Sequence, residues 1–527
     1  MKRREFLQYA VPAAAVPVMV GGISVKAMAD SPLLDAMLGS SIQTDRVLVI
    51  IEMNGGNDGL NTIIPLDQYA TLAPARANII IQDTKVLKMT NETGFHPSMA
   101  GIHAMYQEGV VKVVQSVGYP NPNFSHFRAS DIWNSASDSN QVVPTGWLGR
   151  YLNEEYPGFP DNYPNPTNPD PLAIQIGSVL SQSLQGPFST MGMAITSADS
   201  FYQLLTGATD VVPNTPAGHE LKFIRQVIHQ TQEYVIQIQA AAAAGANLST
   251  QYPTNNYLAS QLKIVARLIK GGLKTRVYVV SIGGFDTHDS QIDQTQGTDT
   301  GLHADLLGRL SSAIAAFQDD LKLLDIDERV VGMTFSEFGR RIKSNASYGT
   351  DHGAAAPLLV FGKRVLPGIL GSNPIIPSNP DSNDNIAMQY DFRQIYASLL
   401  QDWFGLPQAT VENILIGSPG EFPILPIINN GIVGVQNNFE ADKKSWLKQN
   451  YPNPVTESTV IRFETEGGLT RIQLFDNQGR LIETIIEASY SKGEHEINYR
   501  PSNLAGGTYY YRLQNGRNQD VKTMLVK

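Results

Sequence analysis

The chain has 527 residues, enough for more than one domain and for a large buried core. Hydrophobic residues make up 42% and charged residues 17%, a globular balance, and the formal net charge of −10 argues against a nucleic-acid binder, which would carry a basic face. There are no cysteines, so disulfides, thiolate metal sites and cysteine nucleophiles are excluded, and any metal must be held by His, Asp, Glu or main-chain oxygen.

Residues 1–29 read as an export leader. MKRREFLQ carries Arg3 and Arg4, the apolar stretch VPAAAVPVMVGGI follows, and the small-residue site Ala27-Met28-Ala29 precedes Asp30. The apolar stretch is too short and too proline-broken to span a bilayer as a helix. The KRREFLQ run resembles a twin-arginine export signal, a route that carries folded proteins; an ordinary secretion signal is the alternative. Cleavage removes Lys2, Arg3, Arg4, Glu5 and Lys26, a net charge of +3, which leaves the mature chain near −13. No other segment reads as transmembrane. The expected route is to the periplasm and then to the cell surface or medium, with membranes met only in export or surface anchoring.

From 43 to 428 strands alternate with helices. The strand candidates are Arg46–Glu52, Val110–Val117, Leu172–Gly177, Arg276–Gly283, Arg329–Phe335 and Pro357–Phe361. Most are continuous apolar, β-branched runs, as expected for strands covered on both faces. Amphipathic patterns predict helices over His303–Leu324 and Asp391–Phe404, and a helical insert near 217–270. Residues 156–170 form a proline-rich loop. This order predicts an α/β fold with a doubly wound, mostly parallel sheet.

Residues 429–447 are polar and glycine-bearing and read as a linker. Over 448–527, short alternating runs such as STVIRFE, TRIQLFD and TYYYRLQ are separated by turn signals, among them Asn477-Gln478-Gly479, and predict a small all-β sandwich. QNYPNPVTESTVIRFE, LFDNQGRLIETI, NLAGGTYYYRLQ and KTMLVK, over Gln449 to Lys527, resemble the type A sorting domain of the type IX secretion system. That resemblance implies the type IX machinery as partner; a plain carbohydrate-binding sandwich is the alternative.

Four clusters carry chemistry, each at a predicted strand end or helix start, where open α/β sheets bind ligands. In MNGGNDGLN, Asp58 is a metal carboxylate or part of a tight turn. In PNPNFSHFRASDIW, Ser125 is a helix N-cap or a nucleophile set where main-chain N–H groups stabilise an anion, and His126 beside it is a base, an anion donor or a core histidine. In SIGGFDTHDSQ, Asp286 and His288 stand two apart and, in extended chain, point to one side. In SEFGRRIKSNASYGTDHG, Arg340 offers a planar fork for a tetrahedral oxyanion or pairs with Glu337. Asp351 and His352 are adjacent, so shared ligation needs an irregular loop, which Gly349 and Gly353 would permit.

Together GGNDGLN, SHF, GGFDTH and EFGR…GTDHG resemble the domain of unknown function 1501 family, over nearly all of Arg46 to Gly405. By similarity that family falls in the alkaline phosphatase and sulfatase superfamily. The resemblance implies an alkaline phosphatase-like sheet and a two-metal site: Asp58 as the early aspartate, Asp286 with His288 as the Asp/His pair, Asp351 with His352 as the Asp-His-Gly motif, and Ser125 as nucleophile. The D-T-H spacing is tighter than the superfamily's, and a histidine expected after the Asp-His-Gly motif is missing, since the only later one is His495 in the sorting domain. His303 or Glu337 is the candidate replacement. The sulfatase C/S-x-P-x-R setting is absent, so its aldehyde chemistry is not expected.

The expected function is a secreted hydrolase of phosphate or sulfate esters that depends on one or two divalent metal ions, zinc, magnesium or calcium. Its substrate would be a small-molecule or glycan ester. Ser125 or an activated water attacks, and Arg340 or His126 stabilises developing charge. The alternative is a non-catalytic surface protein that keeps the fold for binding, which the missing histidine favours. A nuclease is disfavoured by the acidic balance.

Overall fold

The computed structural model describes residues 45–198, 216–429, 447–475, 481–501, 504–515 and 518–526, with two short paired strands at Met19–Val20 and Ile23–Ser24. The rest of the leader, most of the linker and the Asn477-Gln478-Gly479 turn lie outside these residues. Two compact units are present, Met1–Gly434 and Val435–Lys527. Among the described residues no helix is long and apolar enough to cross a membrane.

The first unit is built on a nine-stranded sheet. Its strands are β1 Val47–Asn54, β2 Val111–Gly118, β3 Ala173–Ile176, β4 Met193–Ile195, β5 Val277–Gly283 and β6 Val330–Phe335. A two-stranded hairpin follows, β7 Gly339–Ser344 with β8 Thr350–Gly353, and then the chain returns to the sheet as β9 Ala356–Phe361, β10 Gly368–Leu370 and β11 Tyr390–Asp391. The order is β10-β2-β9-β6-β1-β5-β3-β4, with β11 beside β2. Every neighbouring pair is parallel except those made by β9, which runs antiparallel to both β6 and β2. The mostly parallel, doubly wound sheet expected from the strand and helix order is thus what forms.

Alternate residues of each central strand enter opposite cores. Val49 and Ile51 of β1 with Tyr278 and Val280 of β5 face one side. There they pack on α1 Ala100–Gln107, α5 Tyr257–Lys270 and α6 Leu302–Leu323. Leu48, Ile50, Val277 and Val279 face the other, packed on α2 His126–Ser135, α3 Trp147–Glu155 and α7 Phe392–Ser398. Burial on both faces is why these strands read as unbroken apolar runs. The helical insert is α4 Pro216–Ala244 followed by α5.

The second unit holds two antiparallel sheets. One pairs Thr459–Thr465 with Gly493–Tyr499; the other orders Leu481–Tyr490, Gly468–Phe475, Gly507–Asn515 and Asn518–Val526. Phe463, Ile472, Leu474, Tyr511, Leu513 and Met524 form its core.

Candidate metal centre

β1, β5 and β6 lie side by side and parallel, so their carboxyl ends deliver three loops to one place. β1 runs into Gly55-Gly56, both at positive φ (124° and 79°). A Cβ on Gly55 would stand 2.3 Å from the amide nitrogen of Asp286, so this turn and the β5 loop touch backbone to backbone. The Phe285 N–H donates to Asn54 O at 3.1 Å across the same contact.

Arg340 of β7 locks these loops. Its guanidinium is fully buried and donates to the carbonyls of Gly55, Gly56, Phe285 and Thr350 and to Asp286 Oδ1, the last at 2.8 Å. A planar fork suits this role, since each N–H meets an oxygen in its own direction. The fork is therefore committed to the protein and not open to an oxyanion. Its acidic partner is Asp286, not Glu337.

On this frame His126, Asp286, His288 and His352 converge. One ligand atom each from His126, Asp286 and His352 lies within 4.8 Å of the others. His352 Nε2 is 3.2 Å from Asp286 Oδ1, and His126 Nε2 is 3.4 Å from Oδ2. His288 Nε2 is 3.2 Å from Asp286 Oδ1 and 2.8 Å from His352 Nε2. The cluster opens to solvent: Asp286 and His288 are nearly half exposed, His126 about a third, His352 less.

The outer nitrogen of each ring meets an oxygen. His352 Nδ1 lies 2.8 Å from the Phe124 carbonyl, His126 Nδ1 2.9 Å from Glu337 Oε1, and His288 Nδ1 3.2 Å from Asp351 Oδ1. Carbonyl and carboxylate oxygens only accept, so each Nδ1 carries the hydrogen and each neutral ring turns a lone pair inward at Nε2. The His288 and His352 lone pairs then face each other, and all three Nε2 atoms face the Asp286 carboxylate. Acceptors at these distances need a cation among them, protons on the rings or a metal ion. Asp286 itself is ready to serve as an anion: burial works against its charge, but the hydrogen bond and positive charge of Arg340 help outweigh that, and its carboxyl is held down to about 2. Burial also lowers His352 below the ordinary histidine value, favouring the neutral ring that a metal requires.

The residues singled out in the sequence fall into different places. Asp286, His288, His352 and His126 come together. Asp351 touches the cluster through His288 and through Asn345 Nδ2 at 3.2 Å. Asp351 and His352 lie on strand β8, not on an irregular loop, so their side chains diverge, and the His288 ring bridges both: its Nδ1 meets Asp351 and its Nε2 meets His352. Asp58 is fully buried in an ion pair with Arg76 at 2.7 Å, and Gln291 Nε2 donates to it at 2.7 Å. Its oxygens are held by these partners, which answers the choice between ligand and turn differently from either. Ser125 is the exposed N-cap of α2; among the described residues its hydroxyl caps no N–H. His303 is enclosed, its Nε2 3.0 Å from Asn57 Oδ1, and burial lowers it to about 4. Three participants had no readable signal: the Phe124 carbonyl, because any residue has one, and the specific pairings of Arg76 with Asp58 and Glu337 with His126, because they are long-range.

Residues 217–415 match the family described as Protein of unknown function (DUF1501), and residues 449–527 match the Secretion system C-terminal sorting domain. None of the curated proteins compared matches the chain. Among solved structures it is similar to a protein in the alkaline phosphatase superfamily from Vibrio parahaemolyticus, at 12% identity and TM-score 0.31, covering 69% of this chain and 67% of that one. The PsFucS1 sulfatase from Pseudoalteromonas sp. gives 10% identity and TM-score 0.33 over 90% and 86%. The alkaline phosphatase from the Antarctic bacterium TAB5 gives 9% and 0.25 over 71% and 98%. The family match includes Asp286, His288, Arg340, Asp351 and His352 and begins after Asp58, Ser125 and His126. Over residues 217–415 the chain is thus similar to the family of unknown function DUF1501, and the sorting-domain match over 449–527 implies handling by the type IX secretion system and export toward the cell surface or extracellular space.

Proposed function

We propose that the protein is an exported, metal-dependent hydrolase of phosphate or sulfate esters. The observation that carries the reading is the convergence of three imidazole Nε2 atoms on the Asp286 carboxylate, each ring fixed from behind at Nδ1. That donor set fits a metal. Asp286, Asp351 and Glu337 are anionic and Arg340 cationic around it, so a divalent ion would balance the cluster. Three imidazoles and one carboxylate suit zinc or a similar first-row ion better than magnesium or calcium, which prefer all-oxygen shells. His126, His288, His352 and Asp286 would hold it, and when bound it would polarise an ester oxygen and lower the pKa of a water.

The chain's own groups supply the rest. Ser125 sits between Phe124, whose carbonyl orients His352, and His126. Its hydroxyl is free at the start of α2, where N–H groups favour a developing anion. Arg340 keeps Asp286 ionised and in place. Export would run through the periplasm, with the leader over 1–29 as its signal.

The second reading, a surface binding protein that keeps the centre as a structural element, is favoured by the burial of Asp58 and Arg340, two groups assigned to a two-ion hydrolase from the sequence. One experiment separates the readings. The full chain and a His352→Ala/Asp286→Asn variant are measured by elemental analysis and then assayed on aryl phosphate and aryl sulfate esters. Stoichiometric metal and ester cleavage, both lost in the variant, are expected. Metal without cleavage supports the binding reading, and folded protein without metal removes the hydrolase reading and leaves the protein as a binding scaffold.

A further inference from the structure

Glu337 is the buried carboxylate behind the centre. It follows β6, is 4% exposed, and its Oε1 receives two hydrogen bonds, from His126 Nδ1 at 2.9 Å and from the Gly55 N–H at 2.9 Å. The three rings of the cluster are thus backed unequally. His352 leans on a neutral carbonyl, that of Phe124. His288 leans on Asp351, whose side chain is more than half exposed and well hydrated. Only His126 leans on a charge shielded from water.

A negative charge near an imidazole N–H makes the opposite nitrogen a stronger donor, and the effect grows as water is excluded. A second influence opposes it: His126 opens the ten-residue helix α2, whose positive end lies beside its ring. The helix end carries about half a charge spread over its first turn, whereas Glu337 brings a whole charge into direct hydrogen-bond contact. The carboxylate therefore prevails. We infer that Glu337 is a positioning residue that makes His126 the strongest nitrogen donor of the metal centre and fixes its Nδ1–H tautomer. This rests on the metal-centre reading above and assigns a role to a residue that touches neither metal nor substrate.

The geometry provides a clean test. Both hydrogen bonds end on the same oxygen, so in Glu337→Gln the amide oxygen can accept both, and beyond the charge only the long 3.4 Å contact of Ser336 Oγ with the other oxygen is altered. Full-length protein, stripped with chelator, is titrated with zinc and with cobalt(II), and the visible absorption of the cobalt form is recorded. Glu337→Gln is expected to keep the apo protein's melting temperature, to bind both ions about 10–100-fold more weakly, and to shift the cobalt bands. Asp351→Asn, which removes the hydrated backing charge, is expected to lose less. Unchanged affinity with an unchanged cobalt spectrum in Glu337→Gln overturns the inference and leaves the metal centre standing; so does an equal or larger loss in Asp351→Asn. A wild-type chain that takes up neither ion overturns both. Should Glu337→Gln fail to fold, proton NMR of the histidine-labelled wild type decides: an exchange-protected Nδ1 proton on His126 is expected, and its absence refutes the assignment.

Discussion

Asp58 stands in a glycine-rich turn after a core strand, and at that position an aspartate can serve ligation or architecture. The fold chose architecture. Both carboxylate oxygens are within 2.8 Å of Arg76 Nη1, and neither residue is exposed. Arg76 also donates to the carbonyls of Ile342 and Arg341, so the pair staples the β1 turn to β7. Removing one member of such a pair leaves an unbalanced buried charge, and Asp58→Asn should cost about 3–5 kcal/mol in urea unfolding. A loss below about 1 kcal/mol would refute the architectural role. The pH dependence has a definite sign. Burial pushes the Asp58 carboxyl up, but Arg76, His303 and Gln291 more than offset it and hold it below its usual value. The stability it contributes is therefore present above the ordinary carboxylate range and lost as pH falls through the lowered value; Asp58→Asn should flatten that acid limb. Residue type and place in the chain made Asp286, His288, His352 and His126 legible as site candidates. They could not tell Asp58 apart from them, because what separates it is a partner 18 residues away in a segment, ARANII, with no motif.

The β7–β8 hairpin shows where legibility stops at the level of elements. The six core strands were readable because burial on both faces demands continuous apolar runs. GRRIKS and TDHG are polar and short, a ribbon held by Arg340, its neighbours and tight backbone contacts, so no hydrophobic period marks them. The hairpin also explains β9: between β6 and β9 the chain forms no helix to cross the sheet, and it returns antiparallel. Its position against the β5 loop is set by Gly349, where an added Cβ would meet His288 O at 2.3 Å. Thr350 N donates to Thr287 O at 3.1 Å in the same contact. Gly349→Ala should push the two segments apart, separate His352 from His288, and weaken zinc binding at least tenfold while leaving the sheet formed. Calorimetric titration with zinc, beside far-ultraviolet circular dichroism, measures both; wild-type affinity would show that the hairpin does not set the spacing of the two rings.

Each of the two units has its own core: the large one is split across the faces of the nine-stranded sheet, and the small one is centred on Phe463, Tyr511 and Met524. The sorting unit was legible in nearly every strand because its motifs and alternating period agree. The body's fold class was legible for the same reason, while the chemistry of its centre depended on which nitrogen of each ring faces inward, a property of the assembled fold. This division predicts how metal acts on the molecule as a whole. An ion that binds only the folded centre stabilises only the unit that builds it, by about 2.7 kcal/mol when free metal is a hundredfold above the dissociation constant. Scanning calorimetry of the full chain should then show two transitions. Adding zinc should raise one of them by a few degrees and chelator should reverse the shift, with the sorting unit's transition unmoved. The His352→Ala/Asp286→Asn variant should show both transitions and no response to zinc. A shift in both transitions, or one that persists in the variant, would place the responsive ion outside the cluster.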